Sequence, residues 1–135
     1  MNSKTIHIVG LAAFKDKKVI MVTSYPDKHA YYFLGGSIEE GETDLQALER
    51  EVLEEAGVKL DMQSVKFLKE FKAQAHNQID TTVILKLYSG NLLGEPIPST
   101  EILDIQYFDV AKGIANPPEL SKIVFKWLQQ EGYII

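Results

Sequence analysis

The sequence contains no cysteine, which excludes a disulfide framework, thiolate zinc sites and a thiol nucleophile, and agrees with a reducing compartment. Long apolar runs are missing as well: the longest, residues 8–14, falls far short of the ~20 residues that a membrane span needs. The opening stretch MNSKTIHIVG lacks a basic segment followed by an apolar one, so no signal peptide is expected and the predicted location is cytoplasmic. Positive charge is scarce too. A net charge of -5 disfavours tracking of a phosphate backbone, so neither a nucleic-acid polymer nor a membrane is an expected partner. A small anionic ligand could still be held through a bound cation. Repeats, low-complexity tracts and linkers are absent, and 135 residues suit a single domain, 1–135.

What is present reads as strands first. Residues 6–14 and 19–25 are β-rich runs around the turn KDKK and suggest a hairpin; residues 31–34 form a short third strand ending at Gly35-Gly36. A helix is expected from Thr43, a plausible cap, to its stop at Gly57. Two long strands, 65–76 and 81–88, follow around NQID, then a strand at 102–108 and a closing helix at 118–130. That helix places Leu120, Ile123, Val124, Trp127 and Leu128 on one face. Strands outnumber helices, and the helices are separated by most of the sheet, which predicts an α+β or mixed-sheet sandwich with a helix on each face.

Charge is concentrated in one place. Residues 35–58, GGSIEEGETDLQALEREVLEEAGV, hold eight carboxylates and one cation, Arg50, and no lysine occurs between Lys28 and Lys59. In the predicted helix Leu45, Leu48, Val52 and Ala56 form the buried stripe, with Glu51 and Glu55 one turn apart at its border and Glu54 about 60° from Glu51. Like charges so placed destabilise a helix, and partial burial adds to the cost. Arg50 reaches Glu54 at one turn, and the loop returns Glu42 to the helix start near Arg50. The paired glycines at a strand end offer backbone carbonyls at close approach. The arrangement resembles a site for a hard divalent cation, which takes oxygen ligands.

Gly36, Glu42, Arg50-Glu51-Val52, Glu54-Glu55 and Gly57-Val58, nine specified positions over the 23 residues 36–58, resemble the Nudix box at every defining position. The order of strands, box helix and late helix also resembles a complete small MutT-like Nudix hydrolase. The resemblance implies an α/β/α sandwich with a mixed β-sheet between helices. It also implies binding of Mg²⁺ or Mn²⁺ and hydrolysis of a nucleoside diphosphate linked to another moiety. It makes Glu51, Glu54 and Glu55 metal ligands together with the Gly35 carbonyl, and Glu42 and Arg50 a structural salt bridge. Leu34 stands where many members have proline before the glycines, which alters the stiffness of the loop entry without removing a ligand.

The chemistry of these residues agrees. The charge of a pyrophosphate repels incoming hydroxide; a divalent cation neutralises that charge and lowers the pKa of a bound water, and a nearby carboxylate can take the water's proton. The base stays open among the box glutamates Glu51, Glu54 and Glu55 and, outside the box, Glu101 at the start of a strand, which an exposed loop carboxylate would equally explain.

Substrate signals are weaker. Asn116 precedes the last helix much as a purine-reading asparagine does in MutT, though Asn before Pro is also a common helix lead-in. Phe33, with Tyr31 and Tyr32, could stack on a base or belong to the core. His76 could touch a phosphate or only close a strand, while His7 and His29 lack ligand spacing. The leading expectation is a nucleoside triphosphate pyrophosphohydrolase of the house-cleaning type. ADP-ribose, a nucleotide sugar or a dinucleoside polyphosphate is the alternative substrate. A non-catalytic nucleotide-binding module would be expected to lose a box carboxylate, and none is lost. A homodimer stays open.

Overall fold

The computed structural model describes residues 3–24 and 28–135. Its strands are β1 (Lys4–Ala12), β2 (Phe14–Lys15), β3 (Lys18–Ser24), β4 (Leu34–Ser37), β5 (Lys66–Gln74), β6 (Thr81–Ser89) and β7 (Ile102–Phe108). Its helices are α1 (Asp44–Ala56), α2 (Val110–Ala115) and α3 (Glu119–Gln130), with a 3-10 turn at Met62–Ser64. The strands form a four-stranded sheet in the order β4-β1-β6-β5 and a three-stranded sheet in the order β2-β3-β7. The larger sheet is mixed, because β1 runs parallel to β6 and antiparallel to β4.

Side chains alternate between two cores. Val9, Leu11, Ile20, Val22 and Leu34 pack against Ala47, Leu48, Val52 and Ala56 of α1. Val19, Met21, Leu85 and Leu87 pack against Val124, Phe125 and Leu128 of α3. Helices therefore cover both faces of the sheets, which explains why β3 reads as an unbroken apolar run instead of alternating. This is the α/β/α layering expected from the sequence.

The local readings need correction in several places. The predicted 6–14 strand is divided: β1 ends at Ala12, and Phe14 and Lys15 pair with β3 in the other sheet. The hairpin is thus confined to β2 and β3, around Asp16 and Lys17, both left-handed, as a two-residue hairpin turn requires. Ala12 and Ala13 are buried at the crossing, and their small side chains let the chain pass from one sheet to the next. The last residue of the predicted 19–25 strand, Tyr25, lies outside the described residues.

The predicted 31–34 strand is displaced too. Tyr32 makes only an isolated bridge to Val22, and β4 runs through the glycines, with Gly35 opposite Gly10 and Gly36 opposite Val9. Gly35 has φ +142°, and a Cβ there would lie 2.0 Å from the Val9 carbonyl oxygen, so only glycine fits this close approach.

In α1 the Thr43 hydroxyl accepts from the Gln46 N–H at 3.2 Å, while the Gln46 side chain accepts from the Thr43 N–H at 2.9 Å, a complete capping box. Gly57 ends the helix in the left-handed region, and the last turn carries no basic residue. Leu45, expected in the buried stripe, is 39% exposed, and Ala47 takes its place. On a wheel at about 100° per residue, the buried arc from Ala47 to Ala56 is centred near Glu55. In α3, Phe125 is the fully buried anchor, whereas Ile123, expected inside, is 37% exposed. Helix α2, capped by the Asp109 side chain on the Lys112 N–H at 2.9 Å, was not foreseen.

Candidate active site

The centring of α1 on Glu55 sets the geometry of its acidic face. Glu55 is turned toward β4, where the Gly35 N–H donates to Glu55 Oε1 at 2.8 Å. Glu51 lies one turn earlier, so close to Gly36 that a Cβ on that glycine would stand 2.8 Å from Glu51 Cδ. Glu54 points outward, its side chain 60% exposed.

Arg50 gathers the loop. Its Nε and Nη2 donate to the two Glu42 carboxylate oxygens at 2.8 and 3.0 Å, a bidentate pair, and Nη2 also donates to the Ser37 carbonyl at 3.2 Å. Nη1 donates to Glu51 Oε1 at 2.8 Å and to Glu54 Oε2 at 3.4 Å. Glu42 also accepts from the Glu39 N–H at 2.9 Å. Hydrogen bonding from Arg50 is the largest influence on the Glu42 carboxyl and holds it down to about 2. The expected Glu42–Arg50 pairing is present, and Arg50 extends it to Glu51.

Burial dominates the other two shifts. It pushes the Glu55 carboxyl up to about 8; Glu51, Glu54 and Glu101 push in the same direction, and the Gly35 hydrogen bond opposes them. Burial also raises Glu51, against the pull of Arg50. A positive charge arriving beside Glu55 would oppose the effect of burial and favour its ionised form.

The donors Glu51, Glu54 and Glu55 are all oxygen, as a hard divalent cation requires, and the raised Glu55 fits such an ion. As they stand, no three acidic or histidine side chains among the described residues are gathered closely enough to hold a metal. Glu51 Oε1 is turned to Arg50. Gly35 touches the site through its N–H to Glu55; its carbonyl is the atom that the resemblance makes a ligand.

Two cavities meet here. One, of about 410 Å³, is lined by Glu51, Glu54, Glu55, Glu101, Ser99 and Thr100 among others. The structure thus brings Glu101, 46 residues beyond Glu55, to the box carboxylates. The other, of about 340 Å³, is walled mainly by apolar and aromatic side chains, including Phe33 and Tyr31, with His76, Gln74 and Gln78 among its polar residues. Glu55 and Ser24 line both cavities, and no Lys or Arg among the described residues lines either. Phe33 also stacks on Phe125, with ring centroids 5.8 Å apart.

Asn116 is tied to the Tyr31 backbone. Its Oδ1 accepts from the Tyr31 N–H at 3.0 Å and its Nδ2 donates to the Tyr31 carbonyl at 2.8 Å. The side chain is buried, lines neither cavity, and has its amide engaged with Tyr31. Sequence reasoning missed Ser24, the last residue of β3, and Ser99 and Thr100, in the stretch before β7; none carries a spacing signal.

A strand that passes through paired glycines into an acidic helix, beside a cleft with one acidic and one aromatic chamber, fits the Nudix arrangement that the box residues resemble. The NUDIX domain model matches residues 3–130. Three solved structures are similar in fold. The MutT protein of Methanosarcina mazei Go1 has a TM-score of 0.79 at 15% identity, covering 97% of both chains. The ORF135 protein of E. coli has 0.75 at 17% identity, covering 96% of this chain and 93% of the other. A Nudix hydrolase of Nitrosomonas europaea has 0.72 at 21% identity, covering 98% and 94%. No curated protein matches significantly.

The chain belongs to the Nudix family. It is a pyrophosphohydrolase of that family, whose members act on nucleoside diphosphate-linked substrates and generally use a divalent metal. Among the described residues no helix is long and apolar enough to cross a membrane.

Proposed function

We propose that this protein hydrolyses the pyrophosphate bond of a nucleoside triphosphate with Mg²⁺ or Mn²⁺ bound at Glu51, Glu54, Glu55 and the Gly35 carbonyl. The observation that carries this reading is the junction of the two chambers at Glu55 and Ser24. The aromatic chamber, about 340 Å³ and free of Lys and Arg among its described lining residues, suits an uncharged base. The acidic chamber repels bare phosphates, so neutralisation has to come from bound cations.

When bound, the metal supplies charge neutralisation and a more acidic water. The chain supplies position and proton transfer. Gly35 N–H fixes Glu55 at 2.8 Å. Arg50 anchors Glu42 and steadies Glu51 from behind. Glu101, exposed at the mouth of the acidic chamber, is assigned the general base that takes the proton of the attacking water. Phe33 walls the base chamber, with His76 among its polar residues.

The test is a screen of nucleoside triphosphates, ADP-ribose, nucleotide sugars and dinucleoside polyphosphates with Mg²⁺ or Mn²⁺, with the products resolved. A nucleoside monophosphate and pyrophosphate from a triphosphate are expected. Turnover confined to ADP-ribose or a nucleotide sugar would move the assignment to that substrate, and no turnover of any member would refute the enzymatic reading.

A further inference from the structure

Helix α1 ends against a second segment of the chain. The last carbonyls of a helix have no partner within it; here the Glu55 carbonyl accepts from the Ser99 N–H at 3.2 Å and the Ala56 carbonyl from the Ile97 N–H at 2.8 Å. The pairing continues beyond the helix. The Leu93 N–H donates to the Lys59 carbonyl at 2.8 Å, Leu60 and Leu92 form an antiparallel bridge, and the Asp61 N–H donates to the Asn91 carbonyl at 2.9 Å. Residues 91–99 thus run back along 55–61 as a strap. Two residues beyond Ser99 the chain reaches Glu101, and Ser99, Thr100 and Glu101 all line the acidic chamber with Glu55.

The residues of the strap suit a fixed course. Its two donors to the helix, Ile97 and Ser99, are alternate residues, and each is preceded by a proline, Pro96 and Pro98. Proline has no N–H to leave unpaired and its ring fixes φ, so the stretch can swing little. Burial does not supply the hold: Ile97 is 66% exposed, and Pro98 is exposed as well. Capping of α1 accounts for the two donors, but not for proline on both sides of Ile97 or for a course that ends at the acidic chamber.

Building on the reading of Glu101 as the general base, we propose that Pro96 and Pro98 are positioning residues: they stiffen the strap so that the bond from Ser99 to Glu55 sets where Glu101 stands against the box carboxylates. Glu55 is then located twice, its side chain by the Gly35 N–H and its carbonyl by the Ser99 N–H.

Pro98→Gly should lower kcat about tenfold, less than the roughly hundredfold cost of a group misplaced by an ångström, with KM within about twofold and Tm lower by about 2–5 °C. Pro98→Ala, which restores part of the backbone restriction, should recover part of the loss. In a Glu101→Gln background the same Pro98→Gly change should cost less than about twofold, because the base that the strap positions is gone. Equal losses of kcat in both backgrounds, or a lower Tm with kcat unchanged, would overturn the proposal.

Hydrogen exchange of the metal-free protein reads the strap without turnover. The amides of Ile97 and Ser99 should share one level of protection with those of Glu54 to Gly57, and Pro98→Gly should lower both sets together, by about tenfold. Strap amides without protection in the wild type, or a Pro98→Gly variant in which only the strap loses protection, overturn the proposal even if Glu101→Gln is inactive. If Glu101→Gln instead keeps its kcat, the base reading fails alone and the exchange result decides the strap.

Discussion

Replacing Gly36 by alanine would put a methyl group 2.8 Å from Glu51 Cδ and 3.0 Å from both its oxygens. Carbon atoms in ordinary contact stand about 3.5 Å apart or more, so the carboxylate has to retreat by roughly 0.7 Å. The obstructing atoms are the end of a flexible side chain, and the adjustment costs about 1 kcal/mol, the scale of an off-rotamer torsion. That corresponds to a loss of ~3 °C in Tm for a domain of this size. The functional cost is much larger. Glu51 Oε1 leaves its 2.8 Å bond to Arg50, and a carboxylate displaced by most of an ångström lowers kcat by roughly tenfold to a hundredfold. Calorimetric melting, paired with pyrophosphate release at saturating Mg²⁺, reads both quantities on one preparation. A folded Gly36→Ala with kcat within about twofold of wild type would refute the placement of Glu51, because lost positioning costs far more than that. Gly41→Ala is the control. It meets nothing within 4 Å but carries φ +85°, so it should lose stability while sparing catalysis.

Glu54→Gln and Glu55→Gln should each lower turnover at limiting Mg²⁺ by ~100-fold or more, and added metal should raise their Tm less than that of wild type; near-normal hydrolysis by either would remove that residue from the ligand set. Glu101→Gln should lower kcat by roughly 10² to 10⁴ with little change in KM, as for a lost general base. A kcat near wild type across pH would return the base role to Glu51 or Glu54. Arg50→Ala should lose stability and activity together, since it leaves Glu42 and Glu51 uncompensated; a variant as stable as wild type would show that the loop does not depend on the pair. The Glu42 carboxyl is lowered from 4.5 to about 2, so its stabilising contribution is complete above pH 4.5 and is lost as pH falls toward 2. The stability gap between wild type and Glu42→Gln in urea titrations should be constant from pH 5 to 8 and close below 4.5; a gap independent of pH would place the effect elsewhere.

The parts of the site that follow from local spacing were legible in the sequence. Glu42 and Arg50 are joined across a loop whose length is set within the box, and the capping residue Thr43 and the stop at Gly57 obey rules of helix ends. What depends on the rotation of a helix against a sheet was not legible. Leu45 and Ala47 are both apolar, and only the packing of α1 on β1 and β4 selects Ala47 and so turns Glu55 inward. The division of β1 from β2 was hidden for a related reason: a continuous apolar run does not reveal that its two halves join different sheets. Glu101 could be singled out from its place before a strand, but its convergence with Glu55 is a property of chain topology. Asn116 and Tyr31 are 85 residues apart, and no local pattern records that pairing.

Helix α1 carries Glu54 and Glu55 in its final turn, where the aligned peptide dipoles already concentrate negative potential; that turn holds no basic residue, and Arg50 reaches Glu54 from the turn before. Its first turn has a full capping box, so one short helix is secured at one end and electrostatically opposed at the other. Native-state hydrogen exchange should resolve this as two regimes. Amides near Ala47 and Leu48 open only with the whole domain, and those from Glu54 to Gly57 open by local fraying. A cation bound at this end would add to the Gly57 cap the positive charge that the last turn lacks. Its supply would then set how complete the helix is before any substrate arrives, coupling the assembly of this face to the ionic state of its surroundings.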